Sequence, residues 1–261
     1  MMTDAMTTKW DPQQYLKFAG PRLRPALDLL AQIAIDKPHT VYDLGCGPGN
    51  LTAFLKGRWP DAEITGIDNS AEMLTKARDA HPDVNWQQAD LIKWQPDQPA
   101  DVLYSNAALQ WVDGHEALFP ALTRSLRPGG VLAVQMPRNH TAPSHVLMND
   151  AIDASPWVEK LRAARSLPPV PGPDRYYDLL RPHTDTLNIW ESEFLQVLEG
   201  DNAVAEYTRG TALKPYLDAL DEDQRTVFFD DYSARVQQAY PQRADGKTLF
   251  PFRRLFLIAT R

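Results

Sequence analysis

The sequence has little cysteine, no excess of positive charge and no long apolar run. Its one cysteine, Cys46, rules out an intramolecular disulfide and fits a reducing compartment. Lys and Arg number 27 against 34 Asp and Glu, a formal net charge of -7. That balance argues against non-specific nucleic-acid binding, which requires a basic surface. No apolar stretch approaches the ~20 residues that span a bilayer. The opening "MMTDAMTTKW" lacks the apolar core of a secretory signal. The expectation is a cytoplasmic protein with no nucleic-acid or membrane partner. The histidines and Cys46 show no metal-ligand spacing, so no metal is expected. What remains is 261 residues, 43% hydrophobic, enough for a packed core without staples.

Apolar periodicity organises that material. Helical spacing covers Pro21 to Ile35, Asn50 to Arg58, Ala71 to Ala80 with Ser70 as N-cap, and His115 to Ser125. Short apolar strands are predicted at 40–44, 63–67, 84–88, 100–105 and 131–136. "RPGG", Arg127 to Gly130, reads as a helix-stopping turn. Alternating strands and helices predict an α/β fold: a Rossmann-like, doubly wound, mostly parallel sheet. After Pro137 the alternation ends. Residues 144–165, 203–220 and 223–240 look helical, 187–198 alternates like a strand, and 255–259 reads as a last strand returning to the sheet. "SLPPVPGPDRYYDLL" is too rich in proline for one regular element and reads as a surface loop. One domain is expected, with its core at 30–137 and a helical cap from 1–29 and 138–254.

"VYDLGCGPGN" is the densest signal. A strand runs into Gly45, Gly47 and Gly49 and then a helix, so a ligand can lie against bare backbone. Asp68, at the end of the second strand, can accept both hydroxyls of a ribose. Asp90, after the third, can reach an adenine amino group. A dinucleotide would bring its pyrophosphate to this turn. S-adenosylmethionine would bring an ammonium instead. Asp43 suits the ammonium and repels a pyrophosphate. The spacing Gly-x-Gly-x-Gly also departs from the dinucleotide fingerprint. The acids and glycines together therefore point to S-adenosylmethionine.

"DLGCGPGNLT", "GIDNS", "QQADL", "SNAALQWV" and "LRPGG" occur in that order, and with them the chain resembles the class I S-adenosylmethionine-dependent methyltransferases. The resemblance implies a cofactor site at Asp43, Gly45, Gly47, Gly49, Asp68, Asn69, Met73, Ala89, Asp90, Leu91, Asn106, Ala107 and Trp111. S-adenosylhomocysteine is the implied product. The flanking "WDPQQYLKFAGPRLRPALDLL", "AVQMPRNHTAPSHVLM", "RYYDLL", "GTALKPYL" and "FRRLFLIATR" imply methyl transfer to a carboxylate of trans-aconitate or a related small polycarboxylate, giving a monomethyl ester.

An ionised carboxylate is already a nucleophile at neutral pH. No general base is needed, and no catalytic residue is assigned; proximity and orientation are expected to suffice. The acceptor's other carboxylates need donors. Arg22, His145, Tyr176, Tyr177 and Lys214 are the candidates, one of the two tyrosines facing a cavity. Arg138 and His140 are open between site and surface. Trp111 can shield a sulfonium, and Trp10, Tyr15 and Phe18 can form a lid. Competing readings are another small acid or an acyl-carrier thioester as acceptor, a nicotinamide-dependent oxidoreductase, and a binding module without chemistry.

Overall fold

The structure, a computed structural model, describes residues 23–164 and 168–261. Seven strands form one sheet: β1 (Thr40–Leu44), β2 (Glu63–Asp68), β3 (Asn85–Gln88), β4 (Ala100–Asn106), β5 (Leu126–Pro137), β6 (Thr186–Glu199) and β7 (Lys247–Thr260). Their order is β3-β2-β1-β4-β5-β7-β6. β1 pairs in parallel with β2 and β4, β2 with β3, and β4 with β5. The chain steps outward from β1 to β3 and then returns to place β4 on the other side of β1. The carboxyl edge between β1 and β4 is therefore a topological switch point, where open α/β sheets bind ligands.

Two compact units divide the chain. The first contains 23–136, Pro171–Trp190 and Leu255–Arg261; the second contains Pro137–Val170 and Glu191–Arg254. In the first unit, β1 is buried at all five positions. α1 (Arg24–Ala31) buries Leu27, Leu29 and Leu30, and the Tyr104 hydroxyl of β4 donates to Ala26 O at 2.8 Å. α2 (Asn50–Arg58) starts directly after Gly49. α3 (Ala71–Ala80) is capped by Ser70, whose Oγ accepts from Met73 N. α4 (His115–Arg124) precedes β5. Residues 171–190, expected in the cap, belong to this unit, and so does α1.

"RPGG" is not a simple turn. Arg127–Gly130 lie inside β5, where its register against β4 shifts between Ala100 and Val102. A Cβ on Gly130 would stand 2.7 Å from Ala100 O, so the strand can pass there only with glycine. The Arg127 guanidinium bonds Asp101, a buried acid that also accepts from His39 N and Thr40 N at 2.7 and 2.8 Å. Asp101 lies near the start of β4, away from the strand's carboxyl end, and its bonds are structural.

The proline-rich segment also holds a helix. Pro173 occupies the first turn of α7 (Pro173–Leu180), where its missing N–H costs nothing and its fixed φ favours the helix. Tyr176 and Tyr177 therefore sit on a helix rather than a loop.

In the second unit, α5 (Pro143–Ala154) and α6 (Val158–Ala164) replace one predicted helix, separated by Ser155–Trp157. α8 (Ala203–Arg209) and α9 (Lys214–Asp218) likewise replace one. α10 (Glu222–Ala239) starts with a capping box between Asp221 and Gln224. This unit's core holds Ile152, Leu161, Leu217, Phe228, Tyr232 and Phe250. Tyr232 OH lies 2.9 Å from Thr208 Oγ1 and donates to Ser144 O at 3.3 Å, tying α10 to α8 and α5.

Candidate functional site

The switch point is built from four strand ends of the first unit. Beyond β1, the N–H groups of Gly45 and Cys46 both donate to Ile67 O, at 2.8 and 3.0 Å, and turn the chain. Gly45, Gly47 and Gly49 all have positive φ. Their surroundings differ. A Cβ on Gly45 would come within 2.2 Å of Ala108 Cβ, and one on Gly49 within 2.6 Å of the Trp86 ring. Gly47 would meet nothing within 4 Å among the described residues. Two glycines thus make room for protein neighbours, and Gly47 alone offers bare backbone to open space.

Four oxygen acceptors gather on this edge. Asp43 is buried, and one oxygen accepts from Thr52 Oγ1 at 2.6 Å. Burial, and secondarily the Asp68 charge, push its pKa up to about 7 against the Thr52 hydrogen bond. Asp68 Oδ2 accepts from Gly47 N and Oδ1 from Ser70 N, both at 2.9 Å. Each Asp68 oxygen keeps further acceptor capacity. Past β4, Asn106 Oδ1 and Gln110 Oε1 are buried with no hydrogen-bond partner among the described residues. Gln110 Nε2 donates to Ala107 O at 2.7 Å, which fixes how its amide faces. Ala107 holds φ 52°, an uncommon value for a residue with a side chain.

The remaining cofactor candidates follow the same edge. Asn69 and Met73 are exposed beside Asp68. Ala89 N donates to Asp68 O at 3.1 Å. Asp90 is exposed and caps the next turn through Ile92 N at 3.0 Å, and Leu91 is buried. Trp111 ends a short 3-10 turn and is 47% exposed. Burial, then the Asp43 and Asp68 charges, push the Cys46 thiol far above its ordinary pKa, so it stays protonated.

The acceptor candidates are more scattered. Arg22, and the lid residues Trp10, Tyr15 and Phe18, lie outside the described residues. Tyr176 is fully buried, with its hydroxyl 2.7 Å from His115 Nδ1. His115 Nε2 lies 2.9 Å from Leu109 O. A carbonyl can only accept, so Nε2 carries the proton and the Tyr176 hydroxyl donates to Nδ1. Tyr177, next on α7, is 52% exposed. Lys214 is exposed and paired with Asp218 at 2.5 Å, one turn along α9. His145 lines a cavity of about 310 Å³ in the second unit, with His140, Met148, Asn149, Ile152, Arg162, Pro169 and Tyr216. Arg138, the other open position, pairs with Glu191 at 2.8 Å.

Sequence reasoning missed Thr52, Gln110, His115, Asn149, Arg162 and Tyr216. The α5 positions 145, 148, 149 and 152 form one helical face, a periodicity visible beforehand. The others become neighbours only through the fold. Among the described residues no group of three or more His, Cys, Asp or Glu could hold a metal ion, and no helix is long and apolar enough to cross a membrane.

The polar character of the edge discriminates between cofactors. Two carboxylates and two unpartnered carbonyl oxygens fit a ligand rich in N–H and O–H donors. They would repel a pyrophosphate. The methyltransferase-domain family matches residues 41–130, the span of this edge. Over 252 residues the chain is 52% identical to a trans-aconitate 2-methyltransferase of Azoarcus sp. (strain BH72), covering 97% of this chain and 99% of the relative. It is 46% identical over 253 residues to a trans-aconitate 2-methyltransferase of Rhodopseudomonas palustris (strain BisB18), covering 97% and 99%. The chain belongs to this family. It is a class I methyltransferase that uses S-adenosylmethionine. A structure of a Haemonchus contortus phosphoethanolamine N-methyltransferase, in complex with phosphomonomethylethanolamine and S-adenosylhomocysteine, shares the fold. Its TM-score is 0.55 at 13% identity, over 90% of this chain and 52% of that one. For this methyltransferase, the residues of the switch point fit the cofactor that the family uses.

Proposed function

We propose that the protein transfers a methyl group from S-adenosylmethionine to a carboxylate of trans-aconitate, giving a monomethyl ester, in the cytoplasm. The observation that carries this reading is an overall identity of 52% in an alignment that spans 97% of the chain, the second unit included. Similarity confined to the cofactor half would leave the acceptor open.

The residues take roles set by their chemistry. Asp68 holds the ribose hydroxyls with its free acceptor capacity. Asp43 meets the ammonium charge, and Asn106 Oδ1 and Gln110 Oε1 receive further donors. Gly47 lets the ligand touch backbone, and Asn69, Met73, Ala89, Asp90 and Leu91 line the adenosine end. Bound there, S-adenosylmethionine supplies a methyl group activated by a positive sulfur. Trp111 helps to keep water from that sulfur. The acceptor carboxylate is ionised at neutral pH, so the protein abstracts no proton and works by orientation.

An acceptor screen with methyl-labelled S-adenosylmethionine tests the reading. The panel holds trans-aconitate, other di- and tricarboxylates and an acyl-carrier thioester. Labelled monomethyl ester from trans-aconitate is expected. Transfer to the thioester or to a different acid, with none to trans-aconitate, overturns it.

A further inference from the structure

His115 and Tyr176 are buried polar residues of the first unit to which the cofactor chemistry assigns no role. His115 opens α4 directly after Gly114, and Tyr176 comes from α7. With Phe119 they form an aromatic cluster, ring centroids 4.8 to 5.8 Å apart, in which Phe119 and Tyr176 are fully buried. A buried polar group costs stability unless it is bonded, so packing alone would favour apolar side chains here. Both ring nitrogens of His115 are bonded. The Tyr176 hydroxyl donates to Nδ1 at 2.7 Å, and Nε2–H donates to Leu109 O at 2.9 Å. Leu109 O also accepts from Val112 N at 3.0 Å. The carbonyl is therefore satisfied within its own turn, and the imidazole adds a second, directed bond to it. That 3-10 turn, Leu109–Trp111, belongs to the cofactor edge. Ala108, just before it, is the neighbour that excludes a Cβ from Gly45. Gln110, within it, carries the buried Oε1 that has no partner among the described residues.

We infer that His115 is a positioning residue of the cofactor site, seated by Tyr176 and acting through Leu109 O to fix the turn that presents Gln110. This role rests on the proposed place of Gln110 at the cofactor and is independent of the acceptor. The Tyr176 hydroxyl occupies Nδ1, which leaves the ring proton on Nε2 to hold the turn. Without the Nε2 bond the turn keeps its own backbone bonds, and the fold survives. Leu109 is then free to shift against α4. Such a shift moves Gln110 Oε1 relative to the donors it receives and moves Ala108 against Gly45. Misplacement of this kind weakens a site more than it weakens the core, because binding depends steeply on orientation.

The test is calorimetric titration of the intact enzyme with S-adenosylhomocysteine, beside urea unfolding of each variant. His115→Asn keeps an amide that reaches the Tyr176 hydroxyl but is too short for Leu109 O. His115→Gln places an amide N–H near the position of Nε2. Affinity should fall by ~10-fold in His115→Asn and stay within about 3-fold of wild type in His115→Gln. His115→Phe combined with Tyr176→Phe removes the bond to Leu109 O together with the hydroxyl that would be left buried and unpaired. Its stability should lie close to wild type while its affinity stays ~10-fold down. Affinity that follows stability across the set, and recovers in the double variant, overturns the inference and makes His115 a packing residue. Gln110→Met distinguishes this failure from failure of the Gln110 reading. Weak binding there, with wild-type affinity in His115→Asn and the double variant, keeps Gln110 at the cofactor and refutes positioning by His115. Wild-type affinity in Gln110→Met, with weak binding in both His115 variants, removes Gln110 from the site and leaves His115 positioning the rest of the turn.

Discussion

The carboxyl edge of the first unit and the cavity of the second are lined by different kinds of polar atom. The edge presents Asp43, Asp68, Asn106 Oδ1 and Gln110 Oε1, all acceptors. Among the described residues the cavity presents an arginine, two histidines, an amide and a phenol, with no acid in its wall. The edge complements a ligand that is cationic and rich in donors, whereas the cavity carries one guanidinium among groups that both donate and accept. The effects of mutations at the two linings should therefore sort by unit.

The largest effect should come from the packing of the edge itself. Gly45→Ala combines a left-handed backbone with a Cβ 2.2 Å from Ala108 Cβ, and should cost on the order of 3–5 kcal/mol of stability. Gly47→Ala carries only the backbone strain, about 1–2 kcal/mol. Urea titration of both distinguishes them, and equal costs would show that the neighbour contact is not what demands glycine at 45. Next, Asp68→Ala removes the acceptor of Gly47 N and Ser70 N together with the proposed ribose partner. Its S-adenosylhomocysteine affinity should fall by on the order of 2–4 kcal/mol by calorimetry. The trans-aconitate site should be spared.

Asp43 tests whether the acidic edge is costly when empty. Its folded pKa of about 7 lies above the ~3.9 of a free aspartate. Its contribution to stability is therefore fully present below about pH 4 and is lost as the pH rises through 7. Asp43→Asn escapes that loss and should stabilise the cofactor-free protein at pH 8 by about 2–4 kcal/mol while weakening cofactor binding. The stability gain should shrink toward pH 5; a gain independent of pH would refute the buried-carboxylate account.

Two smaller tests concern the boundary of the acceptor site. Tyr176→Phe leaves His115 Nδ1 without its donor and should lower stability by about 1–2 kcal/mol with trans-aconitate KM unchanged. A raised KM at wild-type stability would instead place Tyr176 among the acceptor residues. Lys214→Gln should change stability by less than about 0.5 kcal/mol, since its pair with Asp218 is exposed. Steady-state rates should show little change in KM.

The first unit was largely legible in the sequence because local signals there agree. The buried run of β1, the glycines behind it and the Ser70 cap all mark the same boundaries that the fold uses. Legibility failed where a residue type permits two outcomes. Pro173 reads as a helix breaker within a proline-rich segment, yet at the first turn it starts one. Gly129 and Gly130 read as a turn but absorb a register shift inside a strand. Asp43 was readable as an acid just ahead of the glycines, whereas its burial and its Thr52 bond were not. In the second unit His145 was readable only as a lone histidine. Its neighbours Arg162 and Tyr216 lie on other helices, and no spacing in the sequence brings them together.

The order in which the chain visits its two units carries a consequence for how the second unit's pocket could be exchanged between relatives. The trace leaves the first unit after Met136, comes back at Pro171, departs again after Trp190 and returns finally at Leu255. The excursion is split, with α7 and its buried Tyr176 lying between the halves. The cavity draws His140, α5 and Arg162 from the first excursion and Tyr216 from the second. A chimera that swaps one continuous stretch of gene between relatives would thus join half of one pocket to half of another. Transplanting the pocket requires two cassettes moved together, with residues 171–190 left in place to keep the host's own helix.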